Sequence, residues 1–527
     1  MSDLTRRTLL KSTVALGAVA ALPAAAASDP IVRTSYGRLR GRAEDGVLAF
    51  RGVRYAAAPV GNLRFKPPRK PVPWTDIADA GQFGAAAIQP AGQPDMPAYE
   101  KHSEDCLFLN VWTTSLQGKR PVMVWLHGGG FWMGAAGRPT YFGDPFARDG
   151  VVLVSLNHRL NVFGFAQLPD SWGPDYASSG MAGILDIVAA LQWVRENIAR
   201  FGGDPSNVTI FGESGGGAKV SVLLAMSGAK GLYHKAVIES GAELEAAPRQ
   251  YAQALGGALM DTLGLQAGDT AGLAALETSK IFNAQEAASA KVKSLAPPDK
   301  FLNTGFVPSL NPVDLPQGPF APEAPAISAH IPLLIGTNKD EATLFLAYAK
   351  DFFSRTDADF ESAVKQAYPS DGDKIAAAIR KAYPDYPPPY LYAALRTAQM
   401  FWLNSIVLAE RKVAQNAAPV YMYRMDWGSP VHNGALKAAH AMELSFVFGT
   451  FEAIRDFVGP GYGPVRMAAQ MHPVWVAFAK TGDPNTPILP HWPEYDTKSR
   501  DTMIFNLESR IESDPLGELR RLMLREA

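Results

Sequence analysis

A chain of 527 residues, 47% hydrophobic and 19% charged, can bury a large core, which excludes a mainly disordered or fibrous protein. Lysine and arginine (50) nearly balance aspartate and glutamate (51), so the basic excess of a nucleic-acid binder is missing. The single cysteine, Cys106, excludes an intrachain disulfide, a zinc–thiolate centre and a cluster held by several thiolates.

The chain opens on an address. Arg6-Arg7 precede an apolar run over 14–22 and the small residues Ala24 to Ala27, the pattern of a secretory signal of twin-arginine type. That run is shorter than the ~20 residues a membrane span needs, and no later run of that length is expected. Residues 1–27 are therefore expected to be cleaved on export to the periplasm or beyond. Residues 28–527 remain as one domain with no stable membrane anchor.

From residue 121 the pattern alternates. Apolar runs at 121–126 and 151–157, bounded by glycine, read as buried parallel strands. Ile184, Val188, Leu191, Val194 and Ile198 recur at helical spacing and predict an amphipathic helix over 181–200, stopped by Gly202-Gly203-Asp204-Pro205. A strand at 208–211, a helix at 215–226 and strands at 236–239 and 331–335 follow. Weaker strands are expected at 421–425 and 503–505. Helical stretches near 245–300 and 356–415 interrupt the series, and the proline-rich 308–325 reads as a rigid surface connection. The whole predicts an α/β fold with a mostly parallel sheet, helices on both faces, and helical insertions over its C-terminal edge.

Two loops carry chemistry. Gly212-x-Ser214-x-Gly216 directly follows a strand and opens a helix, the context of a nucleophile elbow. Its glycines allow a sharp turn that projects the Ser214 hydroxyl and aims a helix N-terminus at developing negative charge. His127-Gly128-Gly129-Gly130-Phe131, just past the strand at 121–126, supplies a donor loop. The N–H groups of Gly129, Gly130 and Gly215 are the expected oxyanion hole. No Gly-Lys-Ser/Thr follows and no G-x-G-x-x-G opens a helix here, so nucleotide binding is not indicated.

Several long segments now line up. Residues 51–65 (RGVRYAAAPVGNLRF), Ser103-Glu-Asp-Cys-Leu-Phe-Leu-Asn-Val111, Asn157-His-Arg-Leu160, Phe201-Gly-Gly-Asp-Pro205 and 476–484 resemble, in order, segments of the type-B carboxylesterase/cholinesterase family of α/β-hydrolases. The resemblance implies a Ser–Glu–His triad of Ser214, Glu341 (in Gly336-Thr-Asn-Lys-Asp-Glu341, with Asp340 the competing carboxylate) and His440. It implies that Glu213 favours imidazolium at His440 and that Ser240 supports the triad acid. His432 lacks the flanking motif. Three departures stand out: Cys106 has no upstream cysteine to pair with, no tryptophan occurs between Trp74 and Trp112 to stack on quaternary ammonium, and Gly215 replaces the common alanine.

The implied reaction is hydrolysis of a small-molecule carboxylic ester through an acyl-enzyme, with no cofactor or metal. Amide, carbamate or thioester hydrolysis by the same groups is the nearer alternative, and a catalytically silent binding protein the remoter one. Phe131, Trp132, Phe345, Tyr348, Trp402 and Met442 flank the motifs and are the candidate pocket residues. The three triad side chains are expected to converge with the imidazole on the serine oxygen. Sequence carries nothing about oligomeric state.

Overall fold

Short, Val-, Leu- and Ile-rich segments pair into an 11-stranded sheet. The structure, a computed structural model, describes residues 29–91, 101–295 and 305–525; the expected signal lies outside them. In chain order the strands are β1 (Arg42–Glu44), β2 (Val47–Arg54), β3 (Phe108–Thr113), β4 (Arg120–Leu126), β5 (Val152–Leu156) and β6 (Gly203–Glu213). They continue as β7 (Lys235–Glu239), β8 (Leu333–Asn338), β9 (Val420–Met425), β10 (Asp501–Phe505) and β11 (Arg510–Ser513).

Across the sheet the order is β11-β10-β9-β8-β7-β6-β4-β5-β3-β2-β1. From β5 through β10 neighbouring strands are parallel, and both margins are antiparallel. The chain runs outward from β4 to β5 and then returns past β4 to lay down β6. Such a reversal opens a crevice beyond the carboxyl ends of the two strands, where open α/β sheets bind their ligands. Leu126 pairs with Gly212 and Glu239 with Glu213, so the loops leaving β4, β6 and β7 emerge side by side.

The pleat sorts side chains into two cores. Val122, Val124 and Leu126 of β4 point to the face covered by α1 (Ala182–Asn197) and α2 (Gly215–Ala225). Met123 and Trp125 point to the other, where α3 (Tyr462–Thr481) packs with Phe211, Val237 and Leu334. Helices Arg249–Leu263 and Thr278–Lys291 fill the first predicted insertion. Those from Asp357–Ala367 to Leu403–Val413 fill the second.

Sequence and structure differ in four places. The antiparallel margin strands β1, β2, β3 and β11 were not anticipated: β1 and β11 have only three and four residues, β2 is broken by a bulge between Phe50 and Val53, and Asn110 interrupts the apolar run of β3. A separate three-stranded sheet of Ile31–Arg33, Arg38–Arg40 and Ile77–Asp79 was missed for the same reason. The proline-rich 308–325 is no simple surface connection: Ser309, Asn311, Leu315 and Phe320 are buried. The run Pro174–Phe201 is long and apolar enough to cross a membrane, against expectation, but 78% of its most apolar window is buried in this fold. It is a core helix, with Asp186 buried and paired to Arg159 at 2.7 Å.

Candidate active site

β6 ends at Glu213 and α2 begins at Gly215, so the reversal rests on Ser214 alone. Its φ of 55° and ψ of −123° lie where side-chain-bearing residues rarely sit. Ser214 N–H donates to Glu239 O at 2.9 Å, and Ala218 N–H donates to Ser214 O at 3.0 Å. Contact dictates the glycine at 216, since a Cβ there would stand 2.0 Å from the Leu126 carbonyl oxygen. The sharp turn expected from the motif is present.

Beyond β4, Gly129 and Gly130 take left-handed conformations, with φ of 86° and 64°. The N–H groups of Gly129, Gly130 and Gly215 make no hydrogen bond among the described residues, so all three are open to an acceptor in the crevice. The Gly215 backbone packs directly against Gly130.

His440 is brought in from the far side of the sheet. Its Nδ1 lies 2.6 Å from Glu341 Oε2, and its Nε2 lies 3.0 Å from Glu213 Oε1. The other Glu341 oxygen, Oε1, accepts from Ser240 Oγ at 2.5 Å and from Asn338 N–H at 2.7 Å. All four side chains on this chain of contacts are buried. Burial alone would push the His440 pKa down; the charges of Glu213 and Glu341, with their hydrogen bonds, outweigh it and hold it well above the ordinary value. Asp340, the competing carboxylate, faces away: Tyr386 Oη donates to it at 2.8 Å, and burial lifts its pKa to about 6. His432 is exposed beside Tyr348.

One expectation fails. Ser214 and His440 share no hydrogen bond among the described residues; the imidazole Nε2 is on Glu213, the residue just before Ser214. The physical reason is competition between acceptors. Nε2 lies 3.0 Å from a Glu213 carboxylate oxygen, and a carboxylate attracts a ring nitrogen's proton more strongly than a neutral hydroxyl does.

Glu443, three residues past His440, was missed. It is fully buried, accepts from Asn338 Nδ2, and is pushed well above the carboxylate range by burial and by the charges of Glu213, Glu341 and Glu239. Glu239 is lifted to about 8 by burial, against a 3.0 Å hydrogen bond from Trp475 Nε1. Glu213 and Glu341 are the two carboxylates in contact with the imidazole.

Residues 28–518 match the carboxylesterase family. This chain belongs to the carboxylesterase family. It is 37% identical over 499 residues to the para-nitrobenzyl esterase of Bacillus subtilis (strain 168), covering 93% of this chain and 98% of that protein. It is 33% identical to the phenmedipham hydrolase of Pseudarthrobacter oxydans, covering 88% and 93% of the two chains. Among solved structures it resembles a carboxylesterase of Geobacillus stearothermophilus at pH 6.2, with a TM-score of 0.81, 36% identity, and coverage of 94% and 99%. The fold is that of the α/β-hydrolases, and the chain is a carboxylic ester hydrolase acting on small-molecule esters.

The candidate pocket residues of this carboxylesterase divide. Phe345, half exposed, lies 5.2 Å from the His440 ring, and Trp132 is partly exposed on the donor loop, stacked on Phe282. Phe131, beside it, is buried edge-on to Phe165, and Tyr348 is exposed beside His432. Two readings are corrected. Trp402 is buried in the core, and the ring that reaches His440, at 4.6 Å, is its neighbour Phe401. A π-helical turn, Ala398–Trp402, sets which of the two faces the site, and sequence periodicity does not register it. Met442 is wholly buried between the sheet and α3. Met442→Ala is therefore expected to cost about 2–5 kcal/mol of stability with KM unchanged, by chemical denaturation and ester kinetics. A raised KM at unchanged stability would return Met442 to the pocket. Cys106 is a buried free thiol whose pKa is raised by burial, as its missing partner implied.

Proposed function

We propose that this esterase works by two-step acyl transfer through Ser214. His440 takes the Ser214 proton on Nε2 as the hydroxyl oxygen attacks the ester carbonyl carbon. Glu341 holds Nδ1–H, and the carbonyl oxygen, now an anion, accepts from the N–H groups of Gly129, Gly130 and Gly215. The imidazolium returns its proton to the leaving alcohol as the C–O bond breaks. Water repeats the sequence on the acyl-enzyme and releases the acid. The observation carrying this reading is the buried His440 imidazole spanning Glu341 and the residue adjoining a strained Ser214. To act as a base the imidazole must present a neutral Nε2, so the ring passes Nε2 from Glu213 to the next residue along.

A fluorophosphonate probe tests the assignment. One covalent adduct per active chain on the Ser214 peptide, by mass spectrometry, is expected, and an adduct on another residue in inactivated enzyme would overturn it. Matched p-nitrophenyl esters and anilides are expected to separate in favour of the ester.

The flanking charge sets the pH dependence. Only neutral imidazole is a base, so activity falls as pH drops through the His440 pKa. Glu213→Gln removes one of the anions that raise that pKa. The acidic limb of the kcat/KM profile is then expected to move to lower pH; a limb that stays or moves up contradicts the role given to Glu213.

We further infer export by the twin-arginine route with cleavage near Ala27, supported by Arg6-Arg7 and by a family match that begins at residue 28. Replacing both arginines by lysine is expected to retain the uncleaved precursor in the cytoplasm.

A further inference from the structure

Lys219 is buried to 0% exposure, four residues after Gly215 on the first turns of α2. No step of the acyl-transfer reading uses it. Its Nζ donates to His127 O at 3.0 Å and to Gly130 O at 2.8 Å, and it stands 5.5 Å from the centre of the Phe131 ring. Burying an ammonium is costly, and desolvation pulls its pKa down to about 7 against the nearby charge of Glu213. A lysine held there at such cost has partners that matter.

The remaining carbonyls of the loop are tied as well. His127 Nδ1 pairs with Gly128 O at 2.9 Å, and Met133 N–H donates to Gly129 O at 3.1 Å. Asn161 donates to Phe131 O through its backbone N–H at 2.7 Å and to Trp132 O through its side chain at 3.2 Å. Because each peptide unit is planar, fixing a carbonyl also fixes the N–H on the same plane. The two bonds from Lys219 fix the planes on either side of the pair that carries the Gly129 and Gly130 N–H groups.

We propose that Lys219 is a positioning residue for the oxyanion hole, its ammonium bridging the His127 and Gly130 carbonyls so that the peptide units between them keep their N–H groups on the oxyanion. Gly215 belongs to the same arrangement. A Cβ at 215 would stand 2.2 Å from Gly130 O, the oxygen that Lys219 holds. Glycine at 215 therefore leaves room for the bridged carbonyl.

The proposal rests on the acyl-transfer reading, and its test separates the two. Lys219→Met and Lys219→Gln are compared with the parent for ester kinetics, thermal midpoint, and affinity for an alkyl trifluoromethyl ketone, which adds reversibly to an active-site serine to leave an oxyanion. Binding of the corresponding secondary alcohol, which cannot add, reports the pocket alone. For Lys219→Met, kcat and ketone affinity are both expected to fall at least about tenfold, toward the loss seen when an oxyanion donor is removed. KM and alcohol affinity should stay within about twofold. Lys219→Gln, which keeps a donor, is expected to recover part of both and guards against a methionine variant that fails to fold. Parental kcat and ketone affinity in a folded variant would overturn the proposal, as would equal losses of ketone and alcohol affinity. Failure of the parent itself to bind the ketone more tightly than the alcohol would instead sink the acyl-transfer reading.

Discussion

Ser214→Ala is expected to lower kcat for a p-nitrophenyl ester by about 10⁴–10⁶-fold, with KM changed by no more than a few-fold. The substitution deletes one oxygen on a residue held from both sides by backbone hydrogen bonds, so the turn, β6 and α2 should survive it. What disappears is the covalent route. Donors at Gly129, Gly130 and Gly215 would still polarise a bound carbonyl, which leaves a small residual rate over water. Purified variant assayed beside the parent gives the answer directly. Turnover within tenfold of the parent would show that another group performs the attack.

Glu341→Gln should cost about 10⁴-fold in kcat through a tautomer error, with no residue removed from contact. Ser240 Oγ–H and Asn338 N–H both donate to Oε1, so an amide at this position must put its oxygen there. Its NH₂ then faces His440 Nδ1 and forces that nitrogen to accept. The ring proton is left on Nε2, the atom that has to take the Ser214 proton. Circular dichroism and thermal midpoint should report a folded protein; a loss smaller than tenfold would mean that Glu341 does not set the tautomer. Together with the Glu213→Gln profile, this separates the two carboxylates on one ring: one orients Nδ1, the other charges Nε2.

Legibility varied with the range of the interactions involved. Buried parallel strands were readable because both of their faces are covered, which gives the mostly apolar runs of β4, β5 and the first half of β8. Margin strands such as β1 (RAE) and β11 (RIES) carry no such run, since only hydrogen bonding to a neighbour makes them strands. At the site, Ser214 was legible from five consecutive residues, and Glu341 and His440 only through resemblance to a family. Glu443 and Lys219 escaped because a charged residue between apolar ones says nothing about where its charged end goes.

The glycine spacing around Ser214 follows from local sterics: backbone at 216 touches the end of β4 and admits no side chain, so the motif alone reveals a strained strand-to-helix turn. That is why the reaction class was readable from one dimension. Three-dimensional approach settled what remained. It chose Glu213 over Ser214 as the resting partner of His440, Phe401 over Trp402 as the ring beside it, and the carbonyls of His127 and Gly130 as the seat of the Lys219 ammonium. Each choice is a competition among groups far apart along the chain, resolved by desolvation and hydrogen-bond geometry once the sheet has brought the loops together.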